Sequence, residues 1–126
     1  MDSEPKGFTM IELLIVIVII GIIAAIAIPK FANTKERAIV ASMKSDLRNL
    51  VTAQEGYLAD FQTYTTDLGN RFVETTGISV TIQGVSSSGW AATASHVGSV
   101  KTCAIFYGSG ATPVAPATRE GESKCS

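Results

Sequence analysis

Between Glu12 and Lys30 this chain carries no charged residue, and nearly every position from Leu13 to Ile28 (LLIVIVIIGIIAAIAI) is apolar. That run limits the available folds more than any other feature. A helix apolar on every side has no face to turn to water, so it is buried in lipid or among other apolar helices. The chain has only 126 residues, too few to wrap such a helix in a large core. Phe8 to Pro29 supplies about 20 residues, the length a helix needs to cross the hydrocarbon layer of a bilayer. Lipid, or a bundle of identical helices, is the expected environment.

The remainder is ordinary in composition and narrows the function by exclusion. Ten Lys and Arg stand against eleven Asp and Glu, with no basic stripe. Phosphate binding needs clustered cations, so nucleic acid is not an expected partner. One histidine, His96, and two cysteines, Cys103 and Cys125, do not make up the ligand set of a zinc site; no metal or cofactor is expected. Two cysteines downstream of an export or membrane segment read as one disulfide rather than as unrelated thiols. Such a bridge is worth about 3 kcal/mol in the chain-entropy model.

The apolar run allows three fates. It is a secretory signal peptide cut after Ala25-Ile26-Ala27, which offers small residues at the right spacing. It is a plain single-pass anchor. Or a short leader is removed ahead of it and the run stays in the mature protein. Glu12 bears on the choice, because a carboxylate at mid-bilayer costs about 2.5–3.5 kcal/mol on insertion scales and calls for a partner. Cleavage between Gly7 and Phe8 would create one. The new α-amine on Phe8 would lie about one helical turn from Glu12, and the carboxylate would also suit the positive end of the helix dipole. The same carboxylate could meet the amine of a neighbouring chain, and a buried charge pair there would fix register.

Gly7-Phe8-Thr9-Met10-Ile11-Glu12-Leu13-Leu14, followed by the apolar run and Pro29, resembles the class III signal of type IV pilins and pseudopilins. The resemblance implies cleavage after Gly7 by a membrane-embedded prepilin peptidase, which also N-methylates the new N-terminal Phe8. It implies an assembly role for Glu12 with Phe8, and a segment from Gly21 to Pro29 that is locally extended in assembled fibres. Physically, Gly21 is the weakest helix former in the run, and Pro29 lacks an amide hydrogen and should kink the helix. The leader departs from the family's usual basic character, with Asp2 and Glu4 against Lys6.

Beyond Pro29 the periodicity changes. Ile39, Met43, Leu47, Leu50, Gln54 and Phe61 recur at spacings of three and four, with Tyr57 or Leu58 between, which predicts an amphipathic helix from about Lys30 to Asp60. A turn-rich linker follows from Gln62 to Gly69. Ile78–Ile82 alternates at period two and is the clearest strand. Trp90–Val97 is weaker and alanine-rich; Val100–Tyr107 puts Cys103, Ile105 and Tyr107 on one face. The tail from Gly108 reads as a loop tied back by Cys125. The expected fold class is therefore α+β: a long N-terminal helix packed on a small antiparallel sheet. The expected divisions are a leader at 1–7, an apolar helix at 8–29, an amphipathic helix at 30–61 and a head at 62–126.

No catalytic set is legible. His96 lacks a Ser, Cys or Asp partner in a recognisable motif, Gly108-Ser109-Gly110 lacks the spacing of a nucleophile elbow, and Asp60, Asp67 and Glu74 are too scattered for a calcium loop. Some type II secretion pseudopilins bind calcium in a C-terminal loop; here Gly108–Lys124 has Glu120 and Glu122 but no aspartate. The expectation is a non-enzymatic pilus subunit. Its implied partners are membrane lipid before assembly, the prepilin peptidase, an inner-membrane platform with its ATPase, and copies of itself in a surface filament. Its head would face the periplasm while the chain is stored in the inner membrane. The alternatives are a pseudopilin or minor pilin and, from another class, a secreted binding module freed by cutting after Ala27.

Overall fold

The computed structural model describes residues 3–126. Met1 and Asp2, the first residues of the expected leader, lie outside the described residues. The elements are a helix α1 (Met10–Phe61), a short 3-10 turn (Gly69–Arg71), and strands β1 (Ile78–Gln83), β2 (Trp90–His96), β3 (Thr102–Tyr107) and β4 (Lys124–Cys125). The chain divides into two compact units, the first ending at Lys35 and the second running from Glu36 to Ser126.

In the first unit, residues 3–9 are non-helical and exposed, and α1 begins at Met10. An 18-residue window of the helix reaches a mean hydropathy of 3.2 with none of it buried. By length and composition this helix can cross a membrane. Pro29 lies inside α1.

In the second unit, the α1 stripe of Ile39, Met43, Leu47, Leu50 and Gln54 is buried, matching the spacing of three and four read from the sequence. Full burial of Met43, Leu47 and Leu50 contributes about 1.5–3 kcal/mol each. The helix ends where Gln62 takes a positive φ of 57°, the left-handed conformation that stops many helices. Beyond it, Gln54 donates through Nε2 to the Thr65 carbonyl at 2.6 Å and accepts from the Thr65 amide at 3.2 Å. Asp46, also buried, accepts from the Thr75 amide at 2.8 Å and the Thr75 hydroxyl at 2.7 Å. These two polar side chains fasten the linker to the helix.

The sheet is antiparallel in the order β1-β2-β3-β4. One face presents Ile78, Trp90, Ala92, Ala94, Cys103 and Ile105 to the helix stripe. The opposite face presents Ala91, Ala104 and Phe106, packed with Ala117, Ala111 and Val114 of the C-terminal segment. Strand β2 is thus covered on both sides, so it reads as a run of small apolar residues rather than an alternation. Its alanines leave room for the layers above and below.

Two expectations need correction. The third strand begins at Thr102, not Val100: the Lys101 amide donates to the Ser99 hydroxyl at 3.1 Å, which holds Val100 and Lys101 in the turn. The tail is more than a loop, because Lys124–Cys125 adds a fourth strand beside Cys103 and Ala104. The Cys103–Cys125 disulfide joins these two strands. Gly108, at φ 95°, lets the chain turn off β3 against the Ser88 carbonyl, which a side chain there would strike.

Both edges of the sheet are blunted. On β1 the Ile78 amide donates to the Thr75 carbonyl at 2.9 Å and the Val80 amide to Glu74 Oε1 at 2.7 Å. The other edge is a strand of two residues. Short or occupied edges resist pairing with strands of another chain.

Candidate functional site

The residues on which the sequence reading turned gather at the start of α1. Gly7 and Phe8 lie in the exposed non-helical stretch just ahead of the helix, with Phe8 92% exposed. A Cβ built at Gly7 would meet nothing within 4 Å. The peptide bond between them lies in exposed, non-helical backbone.

Thr9 and Glu12 form a capping box. The Thr9 amide and hydroxyl both donate to Glu12 Oε2, at 2.7 and 2.9 Å, and the Glu12 amide donates back to Thr9 Oγ1 at 3.2 Å. The Leu13 amide then makes the first helical bond to the Thr9 carbonyl at 3.3 Å. This arrangement satisfies donors that a helix start otherwise leaves open. It also gives the carboxylate partners at the edge of an apolar segment, where an unpartnered charge is costly. Glu12 is therefore engaged by its own helix start. Thr9 is the site residue that the sequence reading missed. Its signal was present as Thr9-Met10-Ile11-Glu12, a T-x-x-E pattern directly before an apolar run.

The other singled-out residues have structural partners in the second unit. His96 Nδ1 accepts from the Gly98 amide at 2.8 Å and braces the β2–β3 turn. Asp60 pairs with Arg71 at 2.7 Å, Asp67 accepts from the Gly69 amide at 2.9 Å, and Glu74 caps the β1 edge. Trp90 is fully buried, with Tyr107 stacked 6.3 Å away. Among the described residues, no group of three or more His, Cys, Asp or Glu side chains could hold a metal ion.

Residues 4–28 match the family model described as the prokaryotic N-terminal methylation motif. The chain carries a prokaryotic N-terminal methylation motif. Its homologues include the type IV major pilin protein PilA of Myxococcus xanthus, 45% identical over 63 residues, which are 50% of this chain and 29% of that protein. The type IV major fimbrial protein FimA of Dichelobacter nodosus is 39% identical over 98 residues, 78% of this chain and 60% of that protein. The type II secretion system core protein G of Pseudomonas aeruginosa is 35% identical over 57 residues, 45% of this chain and 40% of that protein. The chain thus spans between 29% and 60% of the length of these relatives. The methylation motif coincides with the exposed Gly7-Phe8 stretch, the capping box and most of the apolar run. A long helix with a small antiparallel sheet is the α+β, type IV pilin-like fold that the resemblance implied.

Proposed function

We propose that this chain is the structural subunit of a type IV pilus, held in the inner membrane by its apolar helix and then polymerised into a surface filament. One observation carries the proposal. A methylation motif covers a capped helix start followed by an apolar run, Leu13 to Ile28, in which no residue is buried within the chain. Unburied apolar surface of this extent needs lipid before assembly and other helices after it.

In this reading the prepilin peptidase cuts after Gly7 and methylates Phe8. The new α-amine then competes with the Thr9 amide and hydroxyl for the Glu12 carboxylate. In the filament, Glu12 answers the Phe8 amine of a neighbouring subunit, and the segment from Gly21 to Pro29 absorbs local extension. The blunted sheet edges support helix packing, rather than strand addition, as the mode of polymerisation. The head carries no catalytic duty, and the platform and ATPase act as separate partners. The similarity to a type II secretion core protein keeps a pseudopilin as the second reading.

The mature N-terminus, read by mass spectrometry, tests the proposal. Methylated Phe8 is the expected start. A start at Ile28 would mean that the apolar run is discarded as a signal peptide, and the pilin reading would fall. Glu12→Ala is expected to leave processing intact and abolish filaments; normal filaments would remove the charge-pairing argument.

A further inference from the structure

The apolar part of α1 has a defined length as well as a defined surface, and both of its polar ends lie in the first unit. At the start, residues 3–9 are non-helical. The Glu12 carboxylate turns back on Thr9, accepting from its amide at 2.7 Å and its hydroxyl at 2.9 Å. A short carboxylate tied in this way has no free stem with which to reach water from a deeper position, as lysine and arginine do. Thr9 and Glu12 therefore mark one polar edge. At the other end Lys30 is the first charge after Glu12, and Asn33, Thr34 and Lys35 follow it. The Thr34 hydroxyl donates to the Lys30 carbonyl at 3.0 Å. Residues 10–30 are helical, so Glu12 and Lys30 stand about 27 Å apart at 1.5 Å per residue.

The hydrocarbon core of an average bilayer is about 30 Å thick. A count of apolar residues from Phe8 to Pro29 reaches that length. The capping box takes the residues ahead of Glu12 out of the span, because Thr9 is the cap of the helix and holds the carboxylate beside it. A helix too long for its bilayer tilts; one too short draws the bilayer thin or extends its flanking side chains. Lys30 has a stem to extend and Glu12 has none free, so only one end can adjust. We propose that the apolar helix selects phospholipids with acyl chains shorter than the bilayer average and thins the bilayer around it. The lipid is chosen by chain length, not by headgroup. This inference rests on the reading of the apolar run as a retained membrane helix and adds to it which lipid surrounds the chain. Cleavage after Gly7 would put the Phe8 amine at the same polar edge and leave the length unchanged. The free energy stored in the thinned bilayer is released when the helix leaves it for a fibre, so the same shortness favours assembly.

Lipid selectivity tests the proposal. The full chain carries Trp90→Phe and Ile20→Trp, which put its single tryptophan on the apolar run, and is placed in phosphatidylcholine vesicles of uniform chain length. Ile20 is 59% exposed and lies well inside both polar edges. Competition between brominated and plain lipids, read as tryptophan quenching, gives a relative binding constant for each chain length. Palmitoleoyl chains are expected to bind tightest and erucoyl chains about threefold more weakly, in keeping with the modest cost of each ångström of mismatch. Lys30→Leu in the same background makes Lys35 the next charge, about 35 Å from Glu12, and is expected to move the optimum to erucoyl chains. Binding constants independent of chain length, or an optimum that Lys30→Leu leaves in place, overturn the proposal while leaving the membrane reading intact. A full chain that enters vesicles of no chain length overturns both.

Discussion

Replacing Gln54 by Leu tests how the linker is fastened to the helix. Gln54 is fully buried and makes both a donor and an acceptor bond to the backbone of Thr65. Leucine keeps the helix and the approximate volume but leaves the Thr65 amide and carbonyl without their partner. Each orphaned group costs about 1–3 kcal/mol. The added apolar burial offsets part of this, so the net loss is about 2–4 kcal/mol. For a domain of this size about 1 kcal/mol shifts the midpoint by roughly 4–8 °C; the expected fall is therefore roughly 10–25 °C. Trp90 is the only tryptophan and is fully buried, so its fluorescence reports unfolding of the head even while the long helix persists. The full chain in mild detergent is melted beside Asn49→Leu, an exposed control expected to stay within about 0.5 kcal/mol. A Gln54→Leu midpoint indistinguishable from that control would refute the claim that these two bonds hold the linker.

Other perturbations probe separate parts. Thr9→Val removes the capping hydroxyl, and loss of about 1 kcal/mol at the helix start should speed hydrogen exchange at the Glu12 amide roughly fivefold; unchanged exchange would argue against the box. Tyr64 donates to Glu55 at 3.0 Å, and its hydroxyl is pushed up to about 12, first by burial and then by Glu55. Its folded pKa lies above the ordinary value of 10.0, so its contribution is full below pH 10 and lost as pH rises toward 12. Urea titrations should show a decline across that window that Tyr64→Phe flattens. Replacing Cys103 and Cys125 by Ala should cost about 3 kcal/mol and open the tail to trypsin at Arg119, and a tail still resistant would show that its packing suffices. Trp90 Nε1 has no hydrogen-bond partner among the described residues, so Trp90→Phe should cost well under the roughly 3–5 kcal/mol of Trp90→Ala, measured by thermal melts in near-ultraviolet circular dichroism.

The head shows where sequence periodicity is informative and where it fails. Ile78–Ile82 was legible because only one of its faces is packed, so its side chains alternate. Strand β2 was hard to read because the helix covers one face and the C-terminal segment the other, which erases the alternation. The boundary of β3 was missed because a serine hydroxyl, rather than strand pairing, binds the Lys101 amide. Strand β4 has two residues, too few for any period, and exists because the disulfide and β3 hold it.

By itself the sequence determined the start of the chain: an apolar run without charge, a glutamate at its head, Gly7-Phe8 before it, and the T-x-x-E pattern. These are local features, since apolar length, helix capping and peptide recognition each depend on neighbours within a turn or two. Only the tertiary structure decided that the Cys125 strand lies beside Cys103 and that the β2–β3 turn lies by Ile39, at the end of the helix stripe opposite Phe61. Those facts depend on which distant segments meet, and the hydrophobic pattern of a single segment carries no record of its partners.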